Sequence, residues 1–450
     1  MLAQNNYFIY NAFIVNEGKI FKGDVLIQHG IIKGIYKEKS PVEDIWMEND
    51  TMLVDASGKY LIPGVIDTHV HFREPGLTHK GCFLSESKAA VAGGITSVMD
   101  MPNVIPQTTS ISSWEERMQS AKDKMYTNYS FYIAATDANS EEIKALDKHK
   151  VCGLKLFLGS STGNMLIVDN HVLEDLLQFH TIPLVAHCED EAMIRANTEQ
   201  MKKEYGEEIP IEKHPFIRSE EACYVSTEKI ISLAKKYRSQ IHILHVSTAK
   251  ELELFTPEYP EITAEVCVAY LFLDDSQYQT KGTLMKCNPA IKTADDKKAL
   301  LQALNNGIAY SIASDHAPHT TEEKNNTYLK APSGMPGVQH ILPLMLEFYF
   351  SKDMKLQTIV EKMCHAPARL FQIENRGFIK ENYQADLVLL DLNKPTQIDT
   401  ESLYYQCGWS PFEGMLLHAS IEKTFVNGEI VYDNGNFARN PTGKPLYFNR

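Results

Sequence analysis

Apolar and polar positions follow two different patterns along this chain, and each pattern predicts a different kind of structure. In residues 1–58, short strand-like runs are separated by turn residues, and the same pattern returns in residues 376–450 with an Asn427-Gly428 hairpin signal. Between them, in residues 59–375, apolar runs of strand length alternate with longer helical patterns about seven or eight times. Repeated strand–helix alternation predicts an α/β protein with a parallel sheet, most economically a (β/α)8 TIM-like barrel.

The two β segments lie at opposite ends of the sequence, and both consist of short strand-like runs separated by turn residues. We therefore expect residues 1–58 and 376–450 to pair into one small composite β-sandwich domain. Residues 59–375 would then form the barrel, and the barrel is where we expect a metal-dependent catalytic site.

The stretch from Gly64 to Gly76, GVIDTHVHFREPG, contains the most concentrated candidate chemistry. A buried-strand pattern ends there in His69 and His71, which share one face because alternate side chains of a strand point the same way. Two imidazoles about 6–7 Å apart can bind one metal ion, and imidazole suits zinc. Among 16 histidines a single His-x-His can arise by chance. Arg73 and the Pro-Gly break strengthen the signal, because a guanidinium at an opening strand end can hold a carboxylate.

Other predicted strands also end in side chains that can bind metals. The active site of a barrel lies where the strands end at the carboxyl face. One histidine at such an end is more often structural, but four histidines and an aspartate together favour a metal site. The additional candidates at or near the predicted strand ends are Lys155, His187, His245 and Asp315.

Lys155 needs a separate explanation because it lies inside the apolar strand pattern GLKLFLG. It could extend out of the sheet, or burial could lower its pKa and leave a nucleophilic amine. A carbamate formed with carbon dioxide would turn this amine into an anion that can bridge two metals. Side-chain parity also predicts that His242 and His316 face away from His245 and Asp315 and are structural.

Composition limits the classes of partner and compartment. The net charge is −14 with no long basic run, which argues against nucleic acid and anionic membranes as partners. No run approaches the roughly 18 apolar residues of a membrane span, and the first residues lack a signal-peptide pattern. The eight cysteines include no C-x-x-C pair and suggest reduced thiols. We therefore expect a cytoplasmic protein that acts on a small molecule.

Taken together, these motifs resemble the amidohydrolase superfamily and, within it, the dihydroorotase family. The resemblance covers the whole chain and rests on DTHVHFREPG, LTHKG, MDMPN, GLKLFLGSSTGN, VAHCED, HILHVST, CNPAIK and ASDHAPHTTEEK. It implies two zinc ions per subunit, bridged by carboxylated Lys155. The ligands implied for the first zinc are His69, His71 and Asp315, and those for the second are His187 and His245.

The same resemblance implies how a substrate would be held. The residues expected to bind the substrate carboxylate are Arg73, Asn103 and His319. Those expected to line the ring pocket are Asn288 and the backbone from Ala331 to Gly334. Ser161 and Thr162 lie where relatives carry a mobile loop over the substrate.

The activity implied is a zinc-dependent, reversible cyclisation. N-carbamoyl-L-aspartate would close to L-dihydroorotate and release water, a reaction of pyrimidine biosynthesis, and Asp315 would be the catalytic residue that moves the proton. Relatives also make a homodimer possible.

Two other interpretations remain open. The chain could be another cyclic amidohydrolase, such as an allantoinase or a dihydropyrimidinase (hydantoinase). Those enzymes lack counterparts of Arg73 and Asn103, because their substrates have no carboxylate to recognise. A non-catalytic scaffolding relative is a third possibility, but such proteins typically lose metal ligands and all six are present here.

The resemblance has one departure, at Ala269-Tyr270. Dihydroorotases usually carry a His-His pair at this place, after the seventh strand. The change puts an extra site contact there in doubt, but it leaves the six metal positions untouched.

Overall fold

The structure is a computed structural model that describes residues 5–37, 51–159, 165–167, 169–179 and 181–450. Its strands are β1 (Asn6–Asn16), β2 (Lys19–Gln28), β3 (Ile31–Tyr36), β4 (Thr51–Asp55), β5 (Tyr60–Pro63), β6 (Val65–Val70), β7 (Ile95–Asp100), β8 (Asn128–Phe131), β9 (Ile133–Ala134), β10 (Leu154–Phe157), β11 (Leu184–His187), β12 (Ile241–Ile243), β13 (Ile262–Cys267), β14 (Ala309–Ala313), β15 (Leu387–Asp391), β16 (Thr396–Gln397), β17 (Leu416–Leu417), β18 (Ser420–Val426), β19 (Glu429–Asp433) and β20 (Asn436–Phe437). The predicted loop positions Ser161 and Thr162 lie outside the described residues.

Helices connect the strands and cover their outer faces. The α-helices span Phe83–Ala92, Ile111–Ala121, Ser140–Lys144, Asn170–Leu177, Glu191–Tyr205, His214–Ile217, Glu220–Tyr237, Ala249–Leu252, Ala269–Phe272, Tyr278–Lys281, Ala294–Asn306, Thr321–Lys324, Ile341–Phe350, Leu356–Val360 and Ala366–Leu370. Short 3-10 turns occupy Ile211–Lys213, Asp275–Gln277, Gly282–Met285 and Thr400–Ser402, and Glu361–His365 is a π-helical turn. Within the described ranges, no helix is both long and apolar enough to cross a membrane.

Eight parallel strand positions form the barrel. One ladder contains β6, β7 and β8, and the other runs from β9 to β14. Strands β8 and β9 are two halves of the third position, and Tyr132 lies between them. The barrel closes where Val70 pairs in parallel with His316, just after β14, and where Oδ1 of Asp67 accepts a hydrogen bond from the backbone N of Ser314 at 3.1 Å. This closure confirms the predicted (β/α)8 fold.

Nearly all residues of the barrel strands are buried, because both faces of each strand are covered. Every residue of β6, β7 and β10–β13 is buried, which is typical of parallel strands between a packed interior and an outer layer of helices. Side chains fix where helices begin: Asp190 accepts from N of Met193 at 2.8 Å, and Ser219 accepts from N of Ala222 at 3.2 Å. These two caps set the first residues of the helices Glu191–Tyr205 and Glu220–Tyr237.

The two chain ends meet in one nine-stranded sheet, which confirms the predicted β unit. Its order is β20-β19-β18-β15-β5-β1-β2-β3, with β4 beside β1. Strand β5 joins the two segments, since it pairs with β1 on one side and antiparallel with β15 on the other. Strand β1 shifts register between Ile9 and Ala12, and the inner side chains of β1, β2, β5 and β15 form one hydrophobic cluster.

Two segments lie on the other side of the domain boundaries drawn from the sequence. The boundary after residue 58 places Tyr60–Pro63 in the barrel, but its backbone pairing puts it in the nine-stranded sheet. Within 376–450, several apolar side chains pack into the barrel core instead, namely Ile398, Tyr405, Trp409, Phe412 and Leu417. The division into two domains stays a prediction.

Candidate active site

A cavity of about 280 Å³ opens at the carboxyl ends of the barrel strands. The predicted site residues that line it are His69, His71, Arg73, Asn103, Lys155, His187, His245, Asn288, Asp315, His319 and Gly334. Ala331 does not line it. Its backbone carbonyl points instead to Lys286, whose Nζ donates to it at 2.7 Å.

His69 and His71 stand at the end of β6, and their Nε2 atoms are directed at Asp315. These nitrogens lie 3.2 Å and 3.1 Å from Oδ1 of Asp315. On the far side of the rings, Nδ1 of His69 lies 2.8 Å from Oε1 of Glu265, and Nδ1 of His71 lies 2.7 Å from Oδ1 of Asn103. Each Nδ1 can donate a proton to one of these oxygens, and each Nε2 is the ring nitrogen that faces the site.

Two imidazole nitrogens and a carboxylate oxygen thus converge at one point, where a cation could bind between them. Burial lowers the pKa of His69, but Asp315 and Glu265 outweigh it and raise that pKa. The three donor atoms lie within 4.8 Å of one another, and imidazole with carboxylate is a donor set that suits zinc. Burial raises the pKa of Asp315, but His69 and His71 outweigh it and lower that pKa to about 2. Burial lowers the pKa of His71 to about 4, so the imidazole is neutral, as a metal ligand must be.

A second pair of imidazoles lies across the cavity. His187 ends β11 and His245 follows β12, and Nδ1 of His187 lies 2.9 Å from Nε2 of His245. The other ring nitrogen of His187 is 2.9 Å from Oε2 of Glu189. Nδ1 of His245 is buried and has no hydrogen-bond partner among the described residues. Burial lowers the pKa of both rings, so both are neutral nitrogen donors.

Lys155 lies on β10 between Ala134 of β9 and Val185 of β11. Its side chain is 2% exposed. Burial lowers its pKa to about 8, although Asp315 and Glu265 raise it. A buried amine of this kind is partly neutral near physiological pH and can react as a nucleophile. The site therefore fits a carbamate, which stays a prediction.

Arg73 and His319 form a polar wall of the cavity. Arg73 is 5% exposed. Its Nε donates to the carbonyl of Pro318 at 3.0 Å, and its Nη2 lies 3.2 Å from Nε2 of His319. Burial lowers the pKa of Arg73 to about 10, which leaves the guanidinium charged at neutral pH. Asn103 lines the same cavity from the loop after β7.

The segment 332–334 completes this wall and depends on a buried lysine. Lys324 is fully buried, and its Nζ donates to the carbonyls of Lys286 at 2.8 Å, Pro332 at 3.0 Å and Gly334 at 2.9 Å. Burial lowers the pKa of Lys324 to about 7. Gly334 has φ +140, and an added Cβ would lie 2.6 Å from the carbonyl oxygen of Ala317. Only glycine fits this close approach without displacing the backbone.

With this geometry established, comparison with known proteins identifies the family. The amidohydrolase family profile matches residues 60–431. The chain belongs to the amidohydrolase family. This membership confirms the predicted enzyme class, a hydrolase of cyclic amides, and it is a class in which metal dependence is typical.

Relatives of this amidohydrolase carry two kinds of name. A dihydroorotase of Methanosphaera stadtmanae is 32% identical over 410 residues, covering 91% of this chain and 92% of that protein. A dihydroorotase of Pyrococcus abyssi is 32% identical over 441 residues, covering 98% and 96%. Among solved structures, the L-hydantoinase (dihydropyrimidinase) of Arthrobacter aurescens has a TM-score of 0.92 at 26% identity, covering 99% of this chain and 100% of that chain.

Sequence reasoning missed two charged residues of the amidohydrolase site. Arg218 lines the cavity and donates from Nη1 to the carboxylate of Glu189, which in turn contacts His187. Glu189 lies in the quoted VAHCED motif, but only His187 was at a strand end. Arg218 follows the helix His214–Ile217, far along the chain from any strand end. The motif was a usable signal for Glu189, whereas Arg218 had none.

The two histidines predicted to be structural, and the tyrosine of the Ala269-Tyr270 departure, each have a hydrogen-bond partner of their own. Nδ1 of His242 lies 2.7 Å from Oγ1 of Thr263, and Nε2 of His316 lies 2.6 Å from Oε2 of Glu86. Tyr270 lies in the helix Ala269–Phe272, and its hydroxyl donates a hydrogen bond to the backbone carbonyl of Pro289 at 2.7 Å. All three side chains support the barrel around the site.

Proposed function

We propose that this amidohydrolase is a dihydroorotase, which interconverts N-carbamoyl-L-aspartate and L-dihydroorotate. The observation that carries the proposal is the buried, charged guanidinium of Arg73, which faces the cavity that also contains the metal-type donors. Dihydroorotate has a ring carboxylate that such a fork can bind. Dihydrouracil and hydantoin have no carboxylate at the ring.

The donor sets in the cavity fit two zinc ions. His69, His71 and Asp315 would hold one, His187 and His245 would hold the other, and Lys155 as a carbamate would bridge them. Zinc bound there would polarise the ring amide carbonyl and lower the pKa of a water molecule.

The protein's own groups supply orientation and proton transfer. Asp315 is a carboxylate at neutral pH, and it would take up a proton and deliver it to the ring nitrogen. Arg73, Asn103 and His319 would hold the substrate carboxylate, while Asn288 and Gly334 would border the ring. Oδ1 of Asn288 is buried without a hydrogen-bond partner in the described part of the chain, so it can accept one from a ring N–H.

A second candidate function is that of a hydantoinase or dihydropyrimidinase, favoured by the close structural similarity to the Arthrobacter aurescens enzyme. The test is a side-by-side turnover assay of the zinc-loaded protein with dihydroorotate, dihydrouracil, hydantoin and allantoin. We expect the highest kcat/KM with dihydroorotate. A higher value with any of the uncharged ring substrates would overturn the proposal.

A further inference from the structure

A buried ion pair joins the two loops that carry Arg73 and Asn103. Asp100 is the last residue of β7, and Arg117 lies in the helix Ile111–Ala121. Nη2 of Arg117 donates to Oδ2 of Asp100 at 2.7 Å, and the two side chains are 1% and 0% exposed. Neither side chain lines the cavity. Any effect of this pair on a substrate must therefore pass through other residues.

The pair contacts both chain neighbours of Arg73. Oδ1 of Asp100 accepts a hydrogen bond from the backbone N of Phe72 at 3.2 Å. Nε of Arg117 donates to the carbonyl of Glu74 at 3.3 Å. Arg73 itself has φ +67, a left-handed conformation that a residue with a Cβ keeps only when its surroundings hold it. The contacts at Phe72 and Glu74 therefore help to keep Arg73 in place.

The same guanidinium also contacts the loop that carries Asn103. Nη1 of Arg117 donates to the carbonyl of Met101 at 2.8 Å, two residues before Asn103. The guanidinium carbon lies 4.3 Å from the centre of the Phe131 ring, a stacking contact that also orients the group. The planar fork thus donates in three fixed directions, to a carboxylate and to one carbonyl in each loop. The single nitrogen of a lysine cannot reproduce this arrangement.

We propose that Arg117 is a positioning residue, which holds the loops of Arg73 and Asn103 at the spacing that binds the substrate carboxylate. This inference rests on the proposed dihydroorotase function. Without the fork, the two loops can shift relative to each other. Arg73 then meets the carboxylate less often in the productive geometry. The loss should appear mainly as weaker substrate binding, because the fork is remote from the metal-type donors.

The alternative is that the pair only stabilises the fold. Burial raises the pKa of Asp100 to about 6, although Arg117 lowers it. Keeping this carboxylate charged at neutral pH therefore costs stability, because the unfolded chain ionises it more readily. A buried ion pair is in general weak evidence for a stabilising role. The contacts with both loops give the pair a different role.

The test uses Arg117→Lys, with Arg376→Lys as its matched control. Arg117→Lys keeps a positive charge beside Asp100 but loses the fork. Arg376 is another buried arginine, paired with Asp386 and hydrogen-bonded to Asn427 at 2.8 Å, and it does not line the cavity. Asp100→Asn is a second variant, since it keeps an acceptor for the first loop but loses the charge that orients Arg117.

Each zinc-loaded protein is assayed with dihydroorotate, and zinc content and melting temperature are measured. We expect Arg117→Lys to raise KM about tenfold and to change kcat less than about threefold. In the Arg73→Met background, the same change should lower kcat/KM less than about threefold, because the main residue that it positions is already gone. Asp100→Asn should also raise KM, and Arg376→Lys should keep the wild-type KM.

An unchanged KM in Arg117→Lys would overturn the positioning role. A full tenfold loss in the Arg73→Met background or a comparable KM rise in Arg376→Lys would also do so, because the effect would then be general. Loss of zinc or of folding in both Arg117→Lys and Asp100→Asn would assign the pair to stability instead. A wild-type protein that does not turn over dihydroorotate would refute the proposed function, and this inference would fall with it. An active wild type with additive losses would refute this inference alone.

Discussion

Replacing Arg73 by methionine is the change that should most sharply alter substrate choice. Arg73 is 5% exposed and charged at neutral pH, so its guanidinium meets a substrate carboxylate with little competing water. Removing one partner of such a buried charged pair costs about 2–5 kcal/mol. We therefore expect kcat/KM for dihydroorotate to fall by roughly 10²–10³. Any slow turnover of dihydrouracil should be nearly unaffected, because that ring has no carboxylate to lose.

The assay compares kcat/KM for both substrates in the wild-type protein, Arg73→Met and Arg195→Met. Arg195 is a suitable control because its side chain is 72% exposed and is paired with Glu191 on its own helix. Zinc content and the melting temperature must be measured as well, since Arg73 also donates to the carbonyl of Pro318. An equal loss for both substrates at full zinc content would refute the reasoning, because Arg73 would then act on structure or on the metal ligands.

Three further changes test other parts of the site. Asp315→Asn should lower kcat about 10²–10⁴-fold, because the amide cannot take up the proton, and the melting temperature should change little. A near-normal kcat would show that another group transfers the proton. Lys155→Ala should lose zinc and activity together, and short carboxylic acids should partly restore both; full zinc by metal analysis would contradict a bridging role. The pKa of Lys324 falls to about 7 on folding, so the unfolded chain binds the extra proton above that pH. The unfolding free energy of the wild-type protein should therefore rise relative to Lys324→Met by about 1.4 kcal/mol per pH unit between pH 7 and 10, measured in urea.

The barrel and most of its cavity residues could be predicted because strand ends leave a strong local signal. His69, His187 and Asp315 each end an apolar run, and parallel strands bring such ends to one face of the molecule. Arg218 could not be found in this way. It lies in a connecting segment, and its position depends on long-range packing rather than on any period in the sequence.

The same limit applies to two features whose long-range contacts the sequence does not reveal. Tyr60–Pro63 has the composition of a barrel strand, and only its pairing with β15, more than 300 residues later, reveals that it belongs to the sheet. Ala331 lies next to residues that line the cavity. Its carbonyl accepts a hydrogen bond from Lys286 instead, and no local sequence pattern predicts this contact.

The nine-stranded sheet has a consequence for synthesis on the ribosome. Strand β5 leaves the ribosome early, but its partner β15 is made about 330 residues later, as the pairing of Leu61 with Leu389 shows. At roughly 5–20 residues per second, the edge of β5 waits about 15–65 s for that partner. An exposed strand edge can pair with other chains during this time. We therefore expect the nascent chain to need protection by chaperones until its last quarter has been made.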